Sequence, residues 1–184
     1  ASLTWAAPAS NGGASIQSYT ATASPGGATC TTSGTSCTVS GLVNGTSYTF
    51  VVKANNGAGV SNDSASSAAI TPATNPDAPT SVAATSNTAS TALVTFTAPV
   101  NNGGASISSY TVTATPTAGG ATKSAIGSSS PISISGLTNG VEYTYTVTAT
   151  NIVGTSIASS ASSALTTAAP ASAPTTVSAV ANNQ

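Results

Sequence analysis

Trp5-Ala6-Ala7-Pro8, followed by Asn11-Gly12-Gly13-Ala14-Ser15-Ile16, returns as Phe96-Thr97-Ala98-Pro99, followed by Asn102-Gly103-Gly104-Ala105-Ser106-Ile107. The offset is 91 residues (96 − 5). Tyr19-Thr20-Ala21-Thr22-Ala23 matches Tyr110-Thr111-Val112-Thr113-Ala114 at the same offset. Further on, Ser40-Gly41-Leu42 with Asn44-Gly45 and Tyr48 matches Ser135-Gly136-Leu137 with Asn139-Gly140 and Tyr143, now at 95 (143 − 48). The second copy therefore carries four extra residues (95 − 91) between Pro116 and Pro131. A repeat of this kind means that one structural unit occurs twice. A length of 184 residues suits two small domains.

Within each copy, short apolar alternations are separated by turn residues every eight to twelve positions, the spacing of an all-β sandwich. Leu3 and Trp5 alternate with Ser2 and Thr4, which predicts a strand with one buried face. Tyr48, Phe50, Val52 and Ala54 form one face of a longer strand, with Thr49, Val51 and Lys53 on the other. Tyr143, Tyr145, Val147 and Ala149 are the counterpart face. Asn-Gly pairs at 11–12, 44–45, 102–103 and 139–140 mark turns that want positive φ. Pro8 and Pro99 end their strands, because proline cannot donate to a ladder.

These residues carry a family resemblance: each copy resembles a fibronectin type III domain. The matching features are Trp5 in the second strand, Tyr19 in the third, the Gly41-Leu42 corner leading to Tyr48, and Ala54-x-Asn56-x-x-Gly59-x-Ser61. The second copy shows Phe96, Tyr110, Gly136-Leu137 to Tyr143, and Ala149-x-Asn151-x-x-Gly154-x-Ser156. Phe96 in place of Trp is the departure from the pattern, and it touches local packing. The resemblance implies two tandem seven-stranded immunoglobulin-like β-sandwiches. It implies core positions for Trp5, Tyr19, Phe96 and Tyr110, and tyrosine corners at Tyr48 and Tyr143, whose hydroxyls bond to the backbone just upstream.

The repeat places a first domain at 1–73, a second at 74–168, and a linker with a further strand at 169–184. The first copy opens in its second strand and lacks the N-terminal strand that the second copy shows after Ala78-Pro79-Thr80. The missing piece reads at the other end, as Pro174, Thr175, Thr176, Val177, Ser178, Ala179 and Val180. Joining tail to head gives nearly the spacing found from Val82 to Phe96. Three readings follow: one period of a tandem array, subunits that each donate this strand to a neighbour's first domain, or a fragment with ragged ends. The expected partners are adjacent copies of the chain itself.

Composition then excludes most chemistry. Charged residues make up 3% of the chain: Lys53, Lys123, Asp63, Asp77 and Glu142, with no His, Arg or Met. General acid–base catalysis, triads and metal cages need clusters of groups that are absent here. The expectation is therefore no enzyme, no metal and no cofactor. A net charge of −1 with two lysines cannot neutralise a phosphate backbone, so no nucleic-acid partner is expected. No apolar run reaches the ~18 residues of a spanning helix. Ala1-Ser2-Leu3-Thr4-Trp5 has no signal-peptide character, so any such signal lies outside these residues.

Cys30 and Cys37 flank Ser33-Gly34-Thr35, which reads as a turn, so the pair faces across a hairpin. A disulfide there implies an oxidising compartment, and two buried free thiols are the alternative. Ile132 stands at the position of Cys37 in the second copy. Asn44-Gly45-Thr46 and Asn62-Asp63-Ser64 match the glycosylation pattern, but such matches arise by chance in a Ser/Thr-rich chain. Lys53 has no acid in its strand neighbourhood and reads as solvated, while Lys123 and Glu142 are candidates for a surface ion pair.

Low charge with Ala, Thr, Ser and Gly in excess resembles repeats of secreted bacterial proteins. The expected role is a structural stalk, fibre or surface filament, extracellular or at the cell surface. The alternative is an accessory spacer of a secreted polysaccharide-degrading enzyme. A third reading, loop-mediated binding, would use 117–130, where Thr, Ala, Gly and Ser offer no aromatic or charged cluster.

Overall fold

The computed structural model describes residues 1–86, 88–168, 173 and 175–179. Every regular element among them is a β-strand. The first repeat contains β1 (Ser2–Thr4), β2 (Ile16–Ser24), β3 (Thr29–Thr32), β4 (Ser36–Thr38), β5 (Thr49–Asn56) and β6 (Gly59–Val60). They form a two-stranded sheet, β1-β4, and a four-stranded sheet, β3-β2-β5-β6. The central pair is β2 with β5, antiparallel from Ile16 opposite Asn56 to Ser24 opposite Thr49, with one register shift near Ile16. Period-two alternation turns Tyr19, Ala21 and Ala23 of β2 inward, where they are buried. Phe50 of β5, with Tyr48 just before it and Val39 just after β4, completes this side of the core.

The second repeat contains seven strands: β7 (Thr80–Thr85), β8 (Thr91–Thr97), β9 (Ser109–Pro116), β10 (Lys123–Gly127), β11 (Ile132–Ser135), β12 (Glu142–Thr150) and β13 (Leu165–Thr166). The sheets are β11-β8-β7 and β10-β9-β12-β13. Val94, Val112, Ile134, Tyr145 and Val147 are its largest fully buried strand side chains. Each such burial contributes about 1.5–3 kcal/mol relative to exposure. The predicted face Tyr143, Tyr145, Val147, Ala149 is buried at all four positions.

Among the described residues, β1 has one ladder partner. Strand β1 pairs with β4, Leu3 opposite Cys37, whereas the equivalent β8 pairs with both β11 and β7. The strand expected at 174–180 is one for a following domain or a neighbouring subunit. Residues 175–179 are exposed and outside any strand, with Val177 91% exposed. An isolated extended segment has no ladder to satisfy its amides, so it has no reason to become a strand without a partner. Pro174 and Val180, the ends of the expected strand, lie outside the described residues.

Cα packing divides the chain into two compact units: Ala1–Asp77 with Val100–Ile107 and Thr150–Thr155, and the remainder. These units do not coincide with the repeat boundaries, because the connecting residues are bonded to those two loops. Thr74 N–H donates to Gly103 O (2.8 Å) and Asp77 N–H to Asn101 O (3.0 Å). Asn151 Nδ2 donates to Thr74 O (2.8 Å) and Asn102 O (2.9 Å).

Candidate functional site

The side chains singled out for chemistry stay dispersed. No group of three or more His, Cys, Asp or Glu comes together among the described residues. The ion pair present is Lys53 with Asp63, 3.7 Å apart and about half exposed, worth at most ~1 kcal/mol. This corrects the reading of Lys53 as lacking a nearby acid: Asp63, ten positions on, is brought back beside β5 by the following segment. Glu142 instead accepts from Thr117 Oγ1 (2.9 Å). Lys123 sits on β10, and β9 separates it from β12, where Glu142 begins the strand.

Cys30 and Cys37 form a disulfide, with Cα atoms 6.2 Å apart. They do not face across a hairpin. Cys30 lies on β3, which pairs with β2, and Cys37 lies on β4, which pairs with β1. Residues 33–35 carry the chain from one sheet to the other, so the bridge clamps the two sheets together. Leu3 and Cys30 both pack against the cluster of Ala23, Val39, Tyr48 and Phe50. In the second repeat, Ile132, opposite Val94, is buried at the place of Cys37.

The two tyrosine hydroxyls have matching partners. Val43 N–H donates to Tyr48 Oη (3.0 Å) and Thr138 N–H donates to Tyr143 Oη (3.1 Å), each five residues upstream. Trp5 packs on Tyr19 with ring centroids 5.7 Å apart, and Phe96 on Tyr110 at 4.8 Å. Asn56 and Asn151 organise the turn after their strands. Asn56 Oδ1 accepts from Ala58 and Gly59 N–H, and Asn151 Oδ1 from Val153 and Gly154 N–H.

A serine ladder escaped the sequence reading. Ser61, Ser64 and Ser67 donate backbone N–H to Ala54, Val52 and Phe50 carbonyls. Their Oγ atoms accept from the N–H groups of those same residues, each at 3.0 Å. Ser156, Ser159 and Ser162 repeat this against Ala149, Val147 and Tyr145. Each serine meets both backbone groups of one residue on the neighbouring strand, so the segment satisfies that strand edge without being a regular strand itself. The signal was a period of three, hidden in a chain where serine is common.

One side of the first repeat remains open. Trp5, Pro8, Tyr19, Val52, Ala54 and Ser64 line a groove of ≈ 340 Å³. Leu3, Val52 and Ala54 are partly exposed, while their counterparts Val94, Val147 and Ala149 are buried. Ser61, Ser64 and Ser67 are exposed, while Ser156, Ser159 and Ser162 are buried. Trp5 Nε1–H is enclosed without an acceptor.

The sequence profile of the Fibronectin type III domain matches residues 1–70 and 77–166. Chitinase A1 of Niallia circulans is 35% identical over 143 residues, 73% of this chain and 19% of that enzyme. The chain therefore spans about a fifth of that relative. Among solved structures, domains A168–A170 of titin superpose with a TM-score of 0.56 at 20% identity, covering 82% of this chain and 54% of that one. The chicken CNTN1 FN1–FN3 domains superpose at 0.50 and 19% identity, covering 91% and 61%. These two likenesses speak to the fold alone. With two profile matches over nearly its whole length and the repeated tyrosine–backbone bonds, this chain belongs to the fibronectin type III family, as a tandem pair of its domains.

Proposed function

We propose that the tandem pair is a non-catalytic spacer within an extracellular bacterial protein that degrades a polysaccharide. The observation that carries this reading is the 35% identity to a chitinase, of which the chain matches only 19%. A match confined to so small a part leaves the catalytic machinery to other segments, which agrees with the sparse, dispersed charges of these domains. The Cys30–Cys37 bridge supports an oxidising compartment. As a spacer the pair acts through geometry: closed hydrogen-bond ladders resist extension, and the proline-bearing connection at 74–79 restricts bending. Deleting residues 1–168 from the parent polypeptide tests this. Hydrolysis of a soluble oligosaccharide should be unchanged, and hydrolysis of the insoluble polymer should fall severalfold. Equal loss on both substrates, or a parent with no such activity, overturns the reading.

A second reading, a surface fibre built from such pairs, is favoured by surfaces that carry few like charges. Electron microscopy of the native material separates the two. Filaments with a two-domain repeat support the fibre, and dispersed particles support the spacer.

A further inference from the structure

We infer that the serine ladder of the second repeat is an edge block. It denies the outer edge of β12 to further strands, and the partner that edge would otherwise recruit is β12 of a second copy of this chain. The inference goes beyond the spacer reading and does not depend on it.

Strand β12 has the composition of a segment that stacks on itself. From Tyr143 to Thr150 it reads Tyr-Thr-Tyr-Thr-Val-Thr-Ala-Thr, without charge, Pro or Gly. Every residue but Ala149 is β-branched or aromatic, the types that fit a pleated surface. Short uncharged runs of this kind pair with identical runs from other chains once their backbone is free. Proteins usually guard such a strand with lysines, proline or a bulge at the sheet edge. Here charge is scarce. In the first repeat Lys53 and Asp63 form an ion pair between strand and ladder. Their counterparts at an offset of 95 are Thr148 and Ala158, so β12 has no such guard.

Hydroxyls guard it instead. β9 covers one edge of β12, and β13 pairs along the other at Glu142 and Tyr143. Beyond these, the N–H and C=O groups of Tyr145, Val147 and Ala149 meet Ser162, Ser159 and Ser156. Each serine N–H donates to the strand carbonyl at 2.8–2.9 Å. Each Oγ accepts the strand N–H at 2.9–3.1 Å. The same hydroxyls donate to the Ser163, Ser160 and Ile157 carbonyls at 2.7–2.8 Å, which engages part of the ladder segment's own backbone. A recruiting edge must offer outward groups at every second residue. This segment meets β12 at every third, so its outer side is out of step with an incoming strand. It seals one edge without creating another.

The test is the variant Ser156→Ala/Ser159→Ala/Ser162→Ala, followed by thioflavin T fluorescence and light scattering over a concentration series. It should form fibrils at concentrations where the wild type stays dispersed, and a peptide of residues 143–150 should seed it. Those fibrils should show the ~4.7–4.8 Å repeat of stacked strands. Ser160→Ala/Ser163→Ala, which alters exposed serines between the ladder positions, should behave as the wild type. Ile134→Ala separates edge release from lost stability, because it opens a cavity beneath the opposite sheet and leaves the ladder intact. At denaturant concentrations that leave equal fractions folded, the ladder variant should fibrillise at least about tenfold faster than Ile134→Ala. Should the triple variant not fold, Ser159→Ala takes its place in the same comparison. Equal rates overturn the inference, since lost stability alone would then account for the fibrils. A ladder variant that stays dispersed overturns it too, as does a 143–150 peptide that forms no fibrils.

Discussion

Cys30 and Cys37 are seven positions apart, yet they sit on strands of opposite sheets, with Cα atoms 6.2 Å apart across the first sandwich. Strand β4 has three residues and one ladder partner, β1, which is equally short. The disulfide fastens this small sheet to the larger one.

Removing that clamp should be felt in the first repeat. A Cys30→Ala/Cys37→Ala chain should lose about 2–3 kcal/mol, the chain-entropy value for so short a loop. Denaturant unfolding followed through Trp5 fluorescence measures it. Tyrosine-dominated signals from the second repeat should keep their midpoint.

Tyr143 and Tyr145 have ring centroids 6.5 Å apart and opposite hydroxyl fates. Tyr143 accepts from Thr138 N–H, whereas the fully buried Tyr145 hydroxyl has no partner. Tyr143→Phe should cost about 1–2 kcal/mol by orphaning that amide, and Tyr145→Phe should be neutral or stabilising by up to about 1 kcal/mol. Thermal melts of the two variants decide this.

Burial, with Tyr143 beside it, raises the pKa of Tyr145 above its ordinary value of 10.0. The folded state thus holds this proton more tightly than the unfolded chain. Its contribution is intact below pH ~10 and is lost as pH climbs toward the raised folded value. The wild type should lose stability relative to Tyr145→Phe above pH ~10, with a constant difference below it. A difference that already changes through neutral pH contradicts this assignment.

Gly12 and Gly103 occupy the same place in the repeat and both have positive φ, +68° and +75°. A Cβ on Gly12 would meet Asn56 Nδ2 at an ordinary 3.5 Å, whereas on Gly103 it would collide with the Thr74 and Asn75 carbonyls. Gly12→Ala should cost about 1 kcal/mol of backbone strain. Gly103→Ala should cost about 1–3 kcal/mol more, as backbone must move. Equal midpoints for the two variants would contradict the packing described.

Ser64 and Ser159 make the same bonds, to Val52 and Val147 N–H, in exposed and buried settings. Ser159→Ala leaves a buried amide unpaired and should cost about 1–3 kcal/mol. Ser64→Ala lets water replace the hydroxyl and should cost less than about 1 kcal/mol.

Much of this was legible in the residues because the local rules are short-ranged. The period-two alternation of Tyr48, Phe50 and Val52 announces a half-buried strand wherever the chain places it. The repeat then made one reading check the other. The cysteine pair was legible as a pair but not as a clamp: Ser33-Gly34-Thr35 serves a hairpin and a sheet-to-sheet crossover equally well, and only strand pairing distinguishes them. The ion pair was misplaced for the same reason. Asp63 is ten residues from Lys53, and only the fold brings the two within 3.7 Å.

The sequence by itself determined the all-β fold and the two copies. Composition and alternation are properties of the chain that no packing can alter. Tertiary structure decided which serines are buried, at which glycine a Cβ would collide with backbone, and which charges pair. The physical reason is that burial belongs to a neighbourhood. Leu3 and Val94 obey the same local pattern, yet Leu3 is partly exposed while Val94, paired with Ala84 of β7, is buried.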